Sequence, residues 1–298
     1  MIVKLWDGTT AHASVDCKIM SDITSLLKNE GITAIHKFWY SFEDLKNGTI
    51  AYVTHTRRSN PINPYSSSWR DSERFKLRMY DGSLPSNISV CVYAHLHTSR
   101  GSIEDGKLKI VYLPAWSIFQ PYPSACANFP HWQPDIGAYF LFVTEGGRIK
   151  LLKWLYKPFV YVEIDDKIYE GDGSSEYVDC EKPLVLDAYL KDLIETSIFK
   201  VCMIADLHVG SKYAITPEKY KDINGNEWIV PTNKANRRLM DYWLHFAKVF
   251  KTFKFDELWI VGDAIAGLNV FDKQICNQIN TLDEQKYAFI EVIKELFR

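Results

Sequence analysis

Five short apolar, β-branched runs, each ending abruptly in residues that turn the chain or bind metals, constrain this sequence more than any other feature. Ile2 to Trp6 delivers Asp7-Gly8-Thr9-Thr10-Ala11-His12, and Thr49 to Val53 delivers Thr54-His55-Thr56-Arg57. Ile88 to Tyr93 leads to Ala94-His95-Leu96-His97, Phe199 to Ala205 leads to Asp206-Leu207-His208, and Glu257 to Val261 leads to Gly262-Asp263. Runs of this length with polar punctuation read as buried strands. Helical spacing lies between some of them: Ile19, Ile23, Leu26 and Leu27; Leu239, Trp243, Phe246, Val249 and Phe250; and Tyr287 through Phe297. Strands alternating with helices predict an α/β layered fold. In open α/β sheets ligands gather beyond the carboxyl ends of strands, and every candidate ligand here follows such an end.

Lys107 to Leu113, Ala138 to Thr144 and Arg148 to Tyr156 read as further strands, the last two joined at Glu145-Gly146-Gly147 as an antiparallel hairpin. Pro114 to Pro134, rich in aromatics and proline and poor in periodicity, is expected to be a long, ordered surface loop. Residues 158–197 form a separate zone, with a short β-like hairpin from Phe159, a Gly-Asp-Gly-Ser-Ser segment and a helix expected from Val185 to Ile194.

A net charge of −2, from 35 basic and 37 acidic residues, provides no global pull toward nucleic acid or an anionic membrane, although Arg70 to Arg78 could form a local basic face. No apolar run approaches the roughly 18 residues of a spanning helix, and the N-terminus lacks the pattern of a signal peptide. The six cysteines are scattered without C-x-x-C pairs. A reduced, cytoplasmic protein is the expectation.

Any one of the polar motifs is weak alone, but together they resemble a family. Asp206-Leu207-His208, Gly262-Asp263, the lone His55 and His95-Leu96-His97 are similar to the motifs of the calcineurin-like metallophosphoesterases. In that family D-x-H comes first, then G-D, G-N-H-[DE], a lone histidine and G-H-x-H. Here the last motifs come first, so the chain reads as a circularly permuted member. The resemblance implies a two-sheet α/β/β/α sandwich. Residues 1–157 would be the family's C-terminal half, 158–197 the connector and 198–298 its N-terminal half, together one catalytic domain. The helix ending near Phe297 would lead directly into the strand at Ile2. The other arrangement is a domain-swapped homodimer in which two protomers complete each other's sites.

The G-N-H motif has no full copy. Gly225-Asn226 is followed by Glu227-Trp228, and it falls between D-x-H and G-D. The positional match is Gly8-Thr9-Thr10-Ala11-His12, similar to a G-T-x-x-H variant of phage-type and archaeal-type members. The resemblance then implies two divalent ions. Asp206, His208 and His97 would hold the first, His55 and His95 the second, and Asp263 would bridge them. His12 would take the family's catalytic role as acid or electrostatic donor. Thr9, Thr10 or water would stand in the asparagine's place, and Thr9 and Arg57 are the candidates for phosphate contact. Imidazole and carboxylate ligands without thiolates suit Mn, Fe, Zn or Ni.

The implied activity is hydrolysis of phosphodiesters, and secondarily of phosphomonoesters, by metal-activated hydroxide. A small phosphoester or a nucleotide is the expected partner, without a membrane. The alternatives are a non-catalytic metal-binding scaffold of the same fold and a DNA-processing nuclease. His36 and His245 are read as structural, and His131 as a packing residue.

Overall fold

The computed structural model describes residues 1–8, 18–55, 64–97, 99, 102–118, 134–156, 159–161, 168–170, 177–178, 186–267 and 278–298. It is a mixed α/β structure built on two sheets. The larger has seven strands: β1 (Ile2–Trp6), β2 (Ala34–Lys37), β8 (Ile136–Thr144), β9 (Ile149–Tyr156), β12 (Tyr177–Val178), β13 (Ser197–Ala205) and β16 (Glu257–Val261), in the order β12-β9-β8-β13-β16-β1-β2. Its centre is parallel, with β16 between β13 and β1, whereas β8 runs antiparallel to β13. The smaller has five: β3 (Tyr40–Asp44), β4 (Ile50–Thr54), β5 (Ile88–Tyr93), β6 (Ile103–Asp105) and β7 (Leu108–Tyr112), in the order β3-β4-β5-β7-β6. Two short hairpins stand apart, β10 (Phe159–Tyr161) with β11 (Ile168–Glu170), and β14 (Lys219–Lys221) with β15 (Glu227–Ile229).

Side chains alternate across a strand, and here both faces of the large sheet are covered. Cys202 and Ile204 of β13, Leu258 and Ile260 of β16, and Val3 and Leu5 of β1 share a core with helices α1 (Lys18–Asn29), α4 (Lys234–Phe253) and α5 (Leu282–Lys294). The alternate residues, Val201, Met203, Trp259, Val261 and Trp6, meet Ala51, Val53, Val90, Val92 and Val111 of the small sheet. On the small sheet's outer face Cys91, Tyr93, Ile110 and Tyr112 pack with Phe75 and Met79 of helix α2 (Pro64–Tyr80). Burial on both faces is why these strands are continuous apolar runs rather than alternating ones.

One ionic network lies between the sheets. Lys4 Nζ donates to Glu43 Oε2 on β3 and stands 2.7 Å from Glu257 Oε2 on β16, while Lys37 Nζ lies 2.9 Å from Glu43 Oε1. Burial alone would raise the Glu43 pKa, but hydrogen bonds from Lys37, Lys4 and Ser41 outweigh it and hold the carboxyl below the usual range. A depressed carboxyl pKa stabilises the fold above the unfolded group's pKa and loses that effect as pH falls. Glu43→Gln is therefore expected to lower stability by about 2 kcal/mol at neutral pH, since Lys4 keeps only Glu257. The gap from wild type should narrow below about pH 4. Urea unfolding at neutral and acid pH checks both.

The structure departs from the sequence reading in three places. The zone 158–197 does more than connect: β12 extends the large sheet alongside β9, and helix α3 (Ala188–Thr196) runs directly into β13. The start of the expected surface loop is core. Ala115, Trp116, Ser117 and Ile118 are buried, and the Trp116 ring lies 4.7 Å from Trp243 and 5.1 Å from Phe246. Apolar gain in the helix-side core explains this, and residues 119–133, with His131, lie outside the described set. Finally, β2, β3, α2 and the β14–β15 hairpin were not expected as elements. No helix among the described residues is long and apolar enough to cross a membrane.

Candidate metal centre

Five strand ends converge at one edge of the two-sheet stack. β13 ends at Ala205 before Asp206, β16 at Val261 before Gly262-Asp263, and β1 at Trp6 before Asp7-Gly8. From the small sheet, β4 ends at Thr54 before His55, and β5 ends at Tyr93 two residues before His95. A single chain thus brings six candidate ligands together, three from each half of the sequence.

They fall into two groups, His97, Asp206 and His208 in one, His55, His95 and Asp263 in the other, with the ligand atoms of each group within 4.8 Å of one another. Within the first, His208 Nε2 faces His97 Nε2 at 3.3 Å, and His97 Nε2 is 3.7 Å from Asp206 Oδ2. Within the second, the His55 and His95 rings stand edge to face with centroids 5.0 Å apart. The two groups touch. His55 Nε2 lies 3.0 Å from Asp206 Oδ1. Asp263 Oδ2 is 3.9 Å from His55 Nε2 and 4.0 Å from His208 Nε2, one nitrogen from each group.

Two buried carboxylates among four imidazoles make a strong trap for cations. Burial pushes the Asp206 carboxyl up, but the facing rings of His55, His97 and His208 more than reverse it and hold the group far below the usual range. Burial likewise would lower the His55 pKa, and the charges of Asp263 and Asp206 raise it above that of an ordinary imidazole. His95 moves the other way, lowered by desolvation and then by His55. The His55 Nδ1 atom is buried with no hydrogen-bond partner, leaving Nε2 as the nitrogen that faces the carboxylates. The donor set of imidazoles and carboxylates fits Mn, Fe, Zn or Ni.

The backbone around these groups is unusual. Side-chain alternation along a strand would let D-x-H and H-x-H point two ligands one way, but Asp206, His208, His95 and His97 all lie past the strand ends. Each has positive φ, at 48°, 45°, 70° and 53°. Among the described residues only two other non-glycine residues share that conformation, Lys46 and Lys254. Left-handed backbone is costly for a residue with a Cβ and concentrates at functional sites. Successive left-handed turns, not strand pleat, therefore aim these side chains.

Surrounding hydrogen bonds keep them there. Asp206 accepts from the His95 backbone N–H at Oδ2 (2.8 Å) and from the Asp263 N–H at Oδ1 (3.1 Å), joining three motifs through one carboxylate. Ser117 Oγ lies 3.4 Å from His97 Nδ1, which leaves Nε2 for the site. Asp135, buried, donates its N–H to the His97 carbonyl and accepts from Ser99, pinning the turn after H-x-H. Such outer contacts orient metal ligands. Ser117, Asp135 and Ser99 had no sequence signal, because serine and aspartate after a strand are ordinary loop residues.

Close approach leaves no room for a side chain at Gly8. A Cβ on Gly8 would lie 1.8 Å from Asp263 Oδ1, so the end of β1 packs directly against that carboxylate. Asp7, just before it, is buried and its Oδ1 bonds His36 Nε2 at 2.8 Å, so His36 holds the start of the segment leading to His12. His245 bonds the Tyr156 hydroxyl at 2.8 Å, in keeping with its structural reading. Thr9, Thr10, His12 and Arg57 lie outside the described residues.

The grouping sets a prediction. If each group holds one ion, His97→Ala and His95→Ala should each lower bound metal from two per chain to about one, by losing different ions. Native mass spectrometry after metal in modest excess has been removed by buffer exchange would count them, and the double variant should retain neither.

No protein-family model, no curated protein and no solved structure matches this chain.

Proposed function

We propose that the chain is a dinuclear metal-dependent phosphoesterase acting on phosphodiesters, with the permuted calcineurin-like arrangement its motifs resemble. One observation carries this: Asp263 Oδ2 stands nearly equidistant from a ring nitrogen of each ligand group, the place of a bridging carboxylate. Asp206, His97 and His208 would hold one ion, and His55 and His95 the other. When bound, such a pair supplies Lewis acidity that acidifies water and offsets charge on a phosphoryl group. The chain's own part is to fix the ligands in left-handed turns, to bury the carboxylates so that their charge acts at low dielectric, and to leave His95 and His97 partly open to an incoming phosphoester. The resemblance assigns the proton-donating role to His12 and phosphate contact to Thr9 and Arg57.

The sheet order supports the permutation. β1 lies parallel and adjacent to β16, the neighbour that a β-α-β crossover through α5 would reach. In that reading, breaking the chain between α5 and β1 and joining the old ends through 158–197 leaves strand positions unchanged.

The test is turnover of a chromogenic phosphodiester and its monoester after loading with Mn or Ni. Diester hydrolysis that EDTA abolishes supports the enzyme. Two bound ions without turnover of either substrate would instead favour a metal-binding scaffold.

A further inference from the structure

We infer that the outer surface of the five-stranded sheet, running from the rim of the metal centre along α2, is a docking track for single-stranded nucleic acid. Scattered exposed apolar residues are ordinary on a protein surface, whereas a contiguous patch marks an interaction site. Here the patch is aromatic. Phe38, Tyr40 and Phe42 are 66%, 59% and 39% exposed. The Tyr40 ring lies 5.9 Å from Tyr52 and 6.3 Å from Phe42, and Phe42 lies 5.5 Å from Tyr52. Tyr52 in turn is 5.3 Å from Phe75 of α2, so the cluster passes from the edge strand to the helix.

The patch is continuous with the site. Tyr40 pairs with Thr54 in the β3–β4 register, and Thr54 Oγ1 donates to the Trp39 carbonyl at 2.9 Å. The next residue is His55. On the other side, the ring of His36, bonded to Asp7, lies tilted against Phe38 with centroids 5.1 Å apart. The aromatic rim therefore adjoins the ligand shell from two directions.

Helix α2 adds the charge. Arg70, Arg74 and Arg78 are all exposed and recur every fourth residue, which spaces them about 6 Å apart along one side of the helix. Arg74 reaches buried Asp71 only at 4.0 Å, and the exposed Glu73 is engaged by Lys76 at 3.1 Å. Trp69, half exposed, stands beside Arg70 at the end of the row nearer the chain's exit from β4. A row of guanidinium groups beside a band of aromatic faces suits a strand whose phosphates take the arginines while unstacked bases lie on the rings. A duplex keeps its bases stacked and offers these rings nothing. The global charge of −2 does not oppose this, since the contacts are local and salt-sensitive.

That the strand is also hydrolysed rests on the proposed function; that it binds does not. The experiment is fluorescence anisotropy of a labelled oligothymidylate of about twenty nucleotides with the full chain in EDTA. Wild type should bind the single strand more tightly than a duplex. The triple variant Arg70→Gln, Arg74→Gln, Arg78→Gln should flatten the log–log salt slope by about 2, the share of three phosphate contacts on a single strand. Tyr40→Ala with Phe42→Ala should weaken binding about tenfold or more with the slope unchanged.

Both should hydrolyse the small diester like wild type, and if the triple variant fails to fold, Arg74→Gln alone should flatten the slope by about 0.7. No binding by wild type, equal binding of duplex, or variants indistinguishable from wild type would overturn the inference. Diester hydrolysis without strand binding overturns the track and leaves the proposed function standing. Strand binding without hydrolysis does the reverse.

Discussion

Asp263→Asn should lower kcat/KM for a phosphodiester by at least about a thousandfold, equivalent to roughly 4 kcal/mol of transition-state stabilisation. The substitution keeps the shape of the side chain and the backbone N–H that donates to Asp206. It removes the negative charge from the atom set between His55 and His208. A neutral amide oxygen bridges two cations poorly, so the variant should hold one ion or none at metal concentrations that fill wild type. The isosteric amide should leave the metal-free fold intact, which circular dichroism would register. A variant that keeps both ions and full turnover would remove Asp263 from the bridging role.

Gly262→Ala should be nearly as damaging, and by a different route. Gly262 has a φ of 99°, and a Cβ there would stand 2.3 Å from His55 Cδ2 and 2.4 Å from Asp206 Oδ1. Backbone strain of about 1–3 kcal/mol adds to a clash that neither side chain can escape, because both are fully buried. We expect a loss of roughly 3 kcal/mol or more in stability, with metal affinity falling further since His55 and Asp206 must separate. Thermal unfolding with and without metal would show both. If the methyl group were accommodated with unchanged unfolding and metal content, the packing described around G-D would be incorrect.

Much of the site was legible in the sequence for a local reason. Each ligand stands within four residues of the end of an apolar run, and strand ends in an α/β sheet converge. Asp206, His208, Asp263, His55, His95 and His97 could therefore be named as candidates without coordinates, while their sorting into two groups came from the family resemblance. Their aiming could not. Positive φ at Asp206 and His208 follows from hydrogen bonds to residues distant in sequence, such as the Asp263 carbonyl that accepts the His208 N–H at 2.9 Å.

In the fold, β13, β16 and β5 were visible because both their faces are buried. β2 and β3 were not, since Ala-Ile-His-Lys and Tyr-Ser-Phe-Glu-Asp are edge strands with mixed exposure. Helix α2 escaped notice because its apolar stripe is thin, with Phe75 and Met79 packing on the sheet beneath a basic outer side. Trp116 misled in the opposite direction, as its proline-rich surroundings suggested surface while its ring sits against Trp243.

The most direct test of the account is a metal-loaded crystal read at the absorption edge of the bound metal. It predicts two anomalous peaks in each chain, roughly 3.5–4 Å apart, one against His97, Asp206 and His208, the other against His55 and His95, with Asp263 touching both. A single peak, or peaks away from these six residues, would contradict it.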